Sequence, residues 1–373
     1  MKVIIISAFD TYLDRVMLLK DYYLKHNNNV EVWLSDFSHR YKKYSKDYPE
    51  IDKYIHARGY TRNLSIKRLK SHYDFSREVY KELYNSSQDV IHCLIPANSL
   101  TKFVGKYKMK HPNTKVYFDI IDLWPETMPI GKIKTIFPFT IWKNIRDKNL
   151  KNSDLIFTEC NLFQKILKKE KDSHYHTLYW AKNTAPIVFN NEFEFIEDKL
   201  SICYLGSINN IIDIELISNI LDECSKYKHV TLHIIGDGEK KNVLLEKLSK
   251  LNINVVDHGK LFDFEKKHEI FNQCNYGLNI MKPQVCVGLT MKSLDYLSSG
   301  LPLINSILGD TSDLCEKENI GWNLTNQNYK EIVKKICEEN SENYLVKRYQ
   351  TNVVFQKYFT KDAFNKSLNN ILK

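Results

Sequence analysis

A lysine stands where a helix begins. In VGLTMKSLDYLSSGLPLI, residues 287–304, Thr290 suits an N-cap because its hydroxyl can accept from first-turn amides, and Gly300 followed by Pro302 closes the helix. The amino end of a helix carries about half a positive charge, so a cation there costs roughly 0.3–1 kcal/mol. Two readings of Lys292 stand open. It reaches into water and makes a surface pair with Asp295, worth roughly 0.2–0.5 kcal/mol, or an anion occupies the same place. In the second reading the Gly288-Leu289-Thr290 backbone approaches a diphosphate, and free amides, helix dipole and ammonium converge on it. Asp295, one turn deeper, then accepts from ribose hydroxyls, as acidic residues do in dinucleotide sites.

Other chemistry-bearing groups fall just after strand-like runs. Gly236, Asp237 and Gly238 form a tight turn after VTLHII, and His258, Gly259 and Lys260 follow INVVD. Both suit the border of a base or of phosphates, although a lone histidine such as His258 serves structure more often than ligand. In VYFDIIDLWPETMP, Pro125 disfavours a helical Trp124, so the loop leaves its strand extended and presents Asp122 and Glu126. Either carboxylate can take the proton of an attacking hydroxyl; otherwise Asp122 caps a turn and Glu126 is solvated. RNLSIKRLKSH gathers Arg62, Lys67, Arg68, Lys70 and His72, a positive patch for a lipid diphosphate or an anionic membrane surface, or simply a solvated helix face. GKIKTIFPFTIWKNIRDKNLK mixes basic, aliphatic and aromatic residues and suits either a membrane interface or burial.

The elements that must carry these groups read as two sets of parallel strands. KVIIISA, VEVWLS, DVIHCLI, KVYFDII and DLIFTEC come first; LSICYLG, VTLHIIG, INVVDHG, YGLNIM and LPLINS follow, each separated by helical patterns. Continuous apolar strands alternating with helices imply α/β architecture with sheets covered on both faces. A chain of 373 residues accommodates two such domains. We expect one over 1–182 and one over 198–342, with a linker in AKNTAPIVFNNEFEFIEDK and a final segment, about 343–373, bracing the first. Ligands of open parallel sheets bind at strand carboxyl ends, so the expected site is a cleft between two facing domains.

Composition narrows the classes further. The net charge of +9 resides in the first half, where residues 1–190 hold 32 Lys+Arg against 20 Asp+Glu. This suits phosphate, anionic lipid or nucleic acid, or a lysine-rich solvated surface. No helix-turn-helix, zinc-finger or aromatic RNA-binding signature is present, which argues against nucleic acid. The eight cysteines form no CxxC pair and read as reduced core thiols. GDGEKK lacks the third glycine of a dinucleotide fingerprint, Lys241 standing there. No apolar run approaches the ~18 residues that span a bilayer.

In order, LGS, IIGDGEKKNVLLEKL, VVDHGKLFDFEKKHEIFNQCNYGLNIM and GLTMKSLDYLSSGLPLI resemble the donor-binding half of family-4 glycosyltransferases of the GT-B fold. FDTYLDRV, DFSHRYKK, RNLSIKRLKSH and FDIIDLWPETMPI resemble a bacterial subset that assembles capsular and other surface polysaccharides. The resemblance implies two Rossmann-like domains facing across a cleft and sugar transfer, with retention, from a nucleotide sugar to a lipid-linked glycan acceptor at the cytoplasmic membrane face. It places Gly206, Ser207, Gly236, Asp237, Gly238, His258, Lys260, Gly288, Leu289, Thr290, Lys292 and Asp295 on the donor. Asp10, Arg62, Arg68 and His72 go to the acceptor, and Asp122 or Glu126 to proton transfer. Two residues depart from the pattern. Val287 replaces the first acid of E-x7-E, and Ser207 replaces a diphosphate-binding arginine, which loads the diphosphate onto Lys292 and backbone amides. No D-x-D occurs, so no metal and no cofactor beyond the donor are expected. The rival readings are a nucleotide-sugar epimerase on the same fold and a non-enzymatic membrane- or nucleic-acid-binding protein.

Overall fold

The computed structural model describes residues 1–182 and 193–373, with Lys132 described by its backbone alone. The chain divides into two compact units, Met1–Asn183 with Phe364–Lys373, and Thr184–Ala363. Most of the expected linker lies outside the described residues.

In the first unit, β1 (Lys2–Ser7), β2 (Asn29–Ser35), β3 (Lys53–Ile55), β4 (Val90–Ile95), β5 (Lys115–Ile120), β6 (Leu155–Thr158) and β7 (Tyr175–Thr177) form one sheet. Its order is β3-β2-β1-β4-β5-β6-β7, and every pairing is parallel. The five strands expected from apolar runs are present. The edge strands β3 and β7 are additions: three residues each, with too few apolar side chains to show a period. Val3, Ile4, Ile5 and Ile6 are completely buried, as a strand covered on both faces requires.

The second unit carries β8 (Lys199–Leu205), β9 (His229–Ile235), β10 (Asn254–Gly259), β11 (Tyr276–Asn279), β12 (Leu303–Asn305) and β13 (Gly321–Asn323), ordered β10-β9-β8-β11-β12-β13 and again all parallel. Both units are Rossmann-like α/β sheets. In the second, the strand order reverses beside β8, which sets the carboxyl ends of β8, β9 and β10 around one depression.

The tail differs from expectation in where it returns. The helix Ser341–Tyr358 belongs to the second unit, where Arg348 donates to Cys274 O and to Asn272 Oδ1 at 3.3 and 2.9 Å. Only residues from Phe364 onward join the first unit, with the Phe364 ring 5.2 Å from the Arg15 guanidinium and Asn369 accepting from Tyr22. All eight cysteines are free thiols, and all but Cys286 are buried.

Candidate active site

At the carboxyl ends of β8, β9 and β10 the second unit holds a cavity of about 500 Å³. Loops that only glycine permits form its floor. Gly236 has φ +151°, and a Cβ there would lie 2.0 Å from Gly206 O; Gly238 has φ +156°, and its Cβ would lie 2.3 Å from Ile208 O. The two turns are therefore stacked backbone on backbone. Gly206, Ser207, Gly236, Asp237, Gly238, Lys260, Lys292 and Asp295 all line the cavity, as the sequence suggests.

The helix Met291–Ser298 forms one wall. Thr290 caps it, accepting from Ser293 N at 3.2 Å, while Leu294 and Leu297 enter the core. Tyr296 fixes the helix to the sheet: its hydroxyl accepts from Leu205 N at 2.6 Å and donates to Cys203 O at 3.2 Å. The first turn of the helix, with Lys292, is thereby held beside the end of β8.

Three lysines line this cavity, and two are neutralised. Lys260 Nζ lies 3.2 Å from Asp237 Oδ2, and Lys267 Nζ lies 3.4 Å from Asp295 Oδ2. Lys292 has no carboxylate. Part of its chain is accessible, but Nζ is fully buried without a hydrogen-bond partner, 5.0 Å from the centre of the Tyr204 ring. Burial lowers its pKa to about 7 because a desolvated ammonium is costly. An ammonium in that state at a helix amino end is complementary to an anion. Its position excludes the surface-pair reading: the carboxylate of Asp295 answers Lys267 instead.

Four expected donor residues stand apart from the cavity lining. His258 Nε2 lies 3.0 Å from Nδ1 of His233, with the two rings stacked, so it completes a structural pair. Gly288 O accepts from Thr311 N and Oγ1 at 2.8 and 2.7 Å. Leu289 is buried, and the Thr290 hydroxyl donates to Asn279 Oδ1 at 3.1 Å. These three residues shape the helix start rather than face the space. Conversely, Lys267, Leu261 and Phe262 line the cavity and were missed. The sequence offers only their place just after the strand-like run INVVDHG; the exposure of Phe262, 87%, is visible in the fold alone.

In the first unit, Asp122 sits in an aromatic nest. Tyr12 donates to its Oδ2, and burial raises the carboxyl pKa to about 6 despite that bond and the nearby Arg68 charge. This value suits proton acceptance near neutrality. Glu126 is a correction. Arg146 engages both of its oxygens, at 3.0 and 2.8 Å, and Lys143 adds a contact at 3.2 Å. Its pKa is held below the usual range, because the hydrogen bonds and charge of Arg146 outweigh burial. It anchors the loop and is a poor base.

Of the acceptor candidates, Arg68 and His72 are buried around Phe9, and Asp10 lies next to it. Asp10 accepts from Ser38 Oγ, His39 N and Arg40 N, so it ties down a loop. His72 is pushed well below its ordinary pKa by burial and by Arg68; it is neutral and brings no charge to an anion. Arg62 is exposed. Arg68 Nη1 donates to Asn63 O at 3.0 Å, and its guanidinium lies 4.1 Å from the centre of a Trp124 ring.

Residues 199–339 match the model of the family described as Glycosyl transferases group 1. The chain is a glycosyltransferase. Solved structures with the same architecture cover it from end to end. The apo form of the lipopolysaccharide outer core galactosyltransferase WaaB has a TM-score of 0.69 at 14% identity, over 100% of this chain and 99% of that one. Sucrose-phosphate synthase from Thermosynechococcus elongatus gives 0.70 at 12% identity, over 100% and 98%. Anabaena HepE in complex with UDP and glucose gives 0.65 at 12%, over 100% and 99%. The glycosyltransferase thus has the GT-B fold. No curated protein sequence matches it.

Proposed function

We propose that this glycosyltransferase moves a sugar from a nucleoside-diphosphate donor held by its second unit to a hydroxyl of a surface-glycan acceptor held by its first. The observation that carries the reading is the buried, unpaired ammonium of Lys292 in a cavity at strand carboxyl ends. As the bond from the anomeric carbon to the distal phosphate oxygen breaks, negative charge develops on the diphosphate. Lys292 and the helix end offset it in a site of low dielectric, without a metal. The acceptor oxygen bonds to the anomeric carbon and its proton passes to Asp122. The exposed ring of Phe262 offers a face for the base, and Asp295 an acceptor for the ribose. Complexes of HepE with UDP and with UDP-glucose favour a uridine donor. Family-4 character, retention and work on capsular-type glycans at the cytoplasmic membrane face follow from the motif resemblance. Among the described residues no helix is long and apolar enough to cross a membrane, so attachment there would be peripheral.

A thermal-shift panel of UDP-, GDP- and dTDP-linked sugars tests this, since a ligand at 100 times its Kd adds about 2.7 kcal/mol. At least one nucleotide sugar should stabilise the protein; stabilisation by none would overturn the assignment. Conversion of the donor to an isomer without acceptor would favour the epimerase instead.

A further inference from the structure

Tyr12 and Arg15 stand three residues apart at the start of the helix Leu13–Lys25, and Asp119 and Asp122 stand three apart where β5 ends. In the fold the two spacings meet as two clasps. Arg15 Nε and Nη2 each donate to Asp119 at 2.9 Å, both partners fully buried, and Nη1 donates to Tyr179 O at 3.0 Å. The Tyr12 hydroxyl donates to Asp122 Oδ2. Since β4 lies between β1 and β5, this second clasp reaches across the carboxyl end of the sheet, where ligands of such sheets bind.

A bidentate arginine–carboxylate pair fixes the two elements firmly, so the phenol is held in place whether or not its own bond forms. Its residue is 8% exposed, and its ring is set edge-on to Phe9 and Trp180, at 5.7 and 6.5 Å between ring centres. Burial and the facing carboxylate raise the Tyr12 pKa well above its ordinary value, which leaves the hydroxyl a donor. Asp122 is partly exposed, and among the described residues no other hydrogen bond reaches its carboxylate. One oxygen is therefore committed and the other is open to a substrate. The charged groups that face this pair from other elements are Arg68, of the helix Ile66–Tyr84, and Glu159, just past β6. Packing explains an aromatic ring here but not its hydroxyl, because phenylalanine would fill the same space.

We propose that Tyr12 is a positioning residue of the transfer: by holding Oδ2 of Asp122 it makes Oδ1 the atom that meets the acceptor hydroxyl. The inference rests on Asp122 as proton acceptor and adds what orients it. As the acceptor oxygen bonds to the anomeric carbon and the anomeric bond to the distal phosphate oxygen breaks, the acceptor proton passes to Oδ1, while Tyr12 keeps its own. A hydrogen bond donated to a carboxylate favours the charged form, so Tyr12 also opposes burial and keeps Asp122 ready to accept near neutral pH.

Carbon-13 NMR titration of protein labelled at the aspartate carboxyl carbons tests this. The signal absent from Asp122→Asn is that of Asp122. In the wild type its midpoint should be about 6. In Tyr12→Phe it should lie about one pH unit higher, a hydrogen bond to a charged group being worth about tenfold. The remaining aspartate signals, unmoved, show that the variant is folded. Release of UDP from UDP-glucose, with water as acceptor, should accordingly fall about fivefold more at pH 6 than at pH 9. A wild-type midpoint at the ordinary 3.8 would sink Asp122 as proton acceptor, and this proposal with it. A midpoint near 6 that Tyr12→Phe leaves unmoved, or an equal loss of turnover at both pH values, would overturn the proposal alone and leave Tyr12 a packing residue.

Discussion

If Lys292 waits for a diphosphate, donor binding must drag a proton with it. In the free protein its pKa is lowered from 10.5 to about 7, so about half of the molecules carry the charge at pH 7 and about a tenth at pH 8. A diphosphate within ion-pair distance restores the charged form. Binding of a nucleotide sugar, whose phosphate diester does not titrate in this range, should therefore take up about 0.9 proton at pH 8 and about 0.1 at pH 6. Affinity should fall on the order of 15-fold between pH 7 and pH 8.5. The same shift has a stability face. A lysine whose folded pKa lies below its unfolded value contributes most above the unfolded value, and that contribution is lost as pH falls from 10.5 toward 7. The loss is about 5 kcal/mol at its limit. Lys292→Met removes the buried charge and keeps most of the volume. After subtracting about 1 kcal/mol for the contact with Tyr204, the ligand-free variant should be more stable at pH 7 by about 3–4 kcal/mol, and Tm should rise on the order of 10 °C. Titration calorimetry in buffers of different ionisation enthalpy reads the proton count; denaturant unfolding reads the stability. Zero uptake at pH 8, or a methionine variant that binds donor as wild type does, would refute the reasoning.

Three further substitutions separate chemistry from architecture. Asp122→Asn should lower kcat on the order of 10²–10⁴-fold. Because the folded pKa of Asp122 is raised from 3.8 to about 6, its stability contribution is complete below the lower value and lost as pH rises through the higher, so this variant should gain up to about 3 kcal/mol at pH 8 and almost nothing at about pH 3; unchanged kcat would remove Asp122 from proton transfer. Glu126→Gln removes one of the two carboxylates on buried Arg146, Asp147 remaining at 2.7 Å, and should cost about 1–3 kcal/mol in denaturant unfolding, with kcat of the folded fraction preserved; a collapse of kcat at unchanged stability would return Glu126 to the chemistry. Gly236→Ala drives a methyl group into Gly206 O at a backbone conformation disfavoured for alanine, and should cost at least 1–3 kcal/mol together with donor affinity; wild-type stability would contradict the stacked-turn geometry.

What the sequence disclosed follows the range of each signal. Runs such as VIII and ICYL are fully buried, and burial on both faces writes itself as uninterrupted apolar residues, so ten strands were visible. The three-residue edges β3, β7 and β13 were not, because their pairing comes from a neighbour rather than from their own composition. Lys292 and the glycine turns were legible because capping and positive-φ constraints act within a few residues. The pairing of His258 was not legible because its partner, His233, lies one strand away, and spacing along the chain does not report cross-strand neighbours. Glu126 was misread for the same reason: Arg146 arrives from the helix Phe139–Leu150, and nothing local to WPETMP announces it.

Lys267 shows how the same blindness changes the electrostatic argument. From the sequence, Asp295 is the natural companion of Lys292, and their pairing would leave the cavity with little unbalanced charge. The fold instead gives Asp295 the ammonium of Lys267, from the helix Phe264–Phe271, and gives Lys260 the carboxylate of Asp237. Subtracting those two pairs leaves one ammonium and one helix end, about one and a half positive charges, opposite a diphosphate diester bearing two negatives. The departures at Ser207 and Val287 fit the same balance. An arginine at 207 would add a full cation, and an acid at 287 would add an anion near the helix start, so losing both leaves the local sum nearly unchanged. Under the proposed function, neutralisation of the leaving group then falls mainly on Lys292. Restoring only one of the two, as in Val287→Glu, should therefore weaken donor binding more than restoring both, and a double-mutant cycle on Ser207→Arg and Val287→Glu measures that coupling directly. Independent, additive effects would show that the cavity does not sense its charge as a sum.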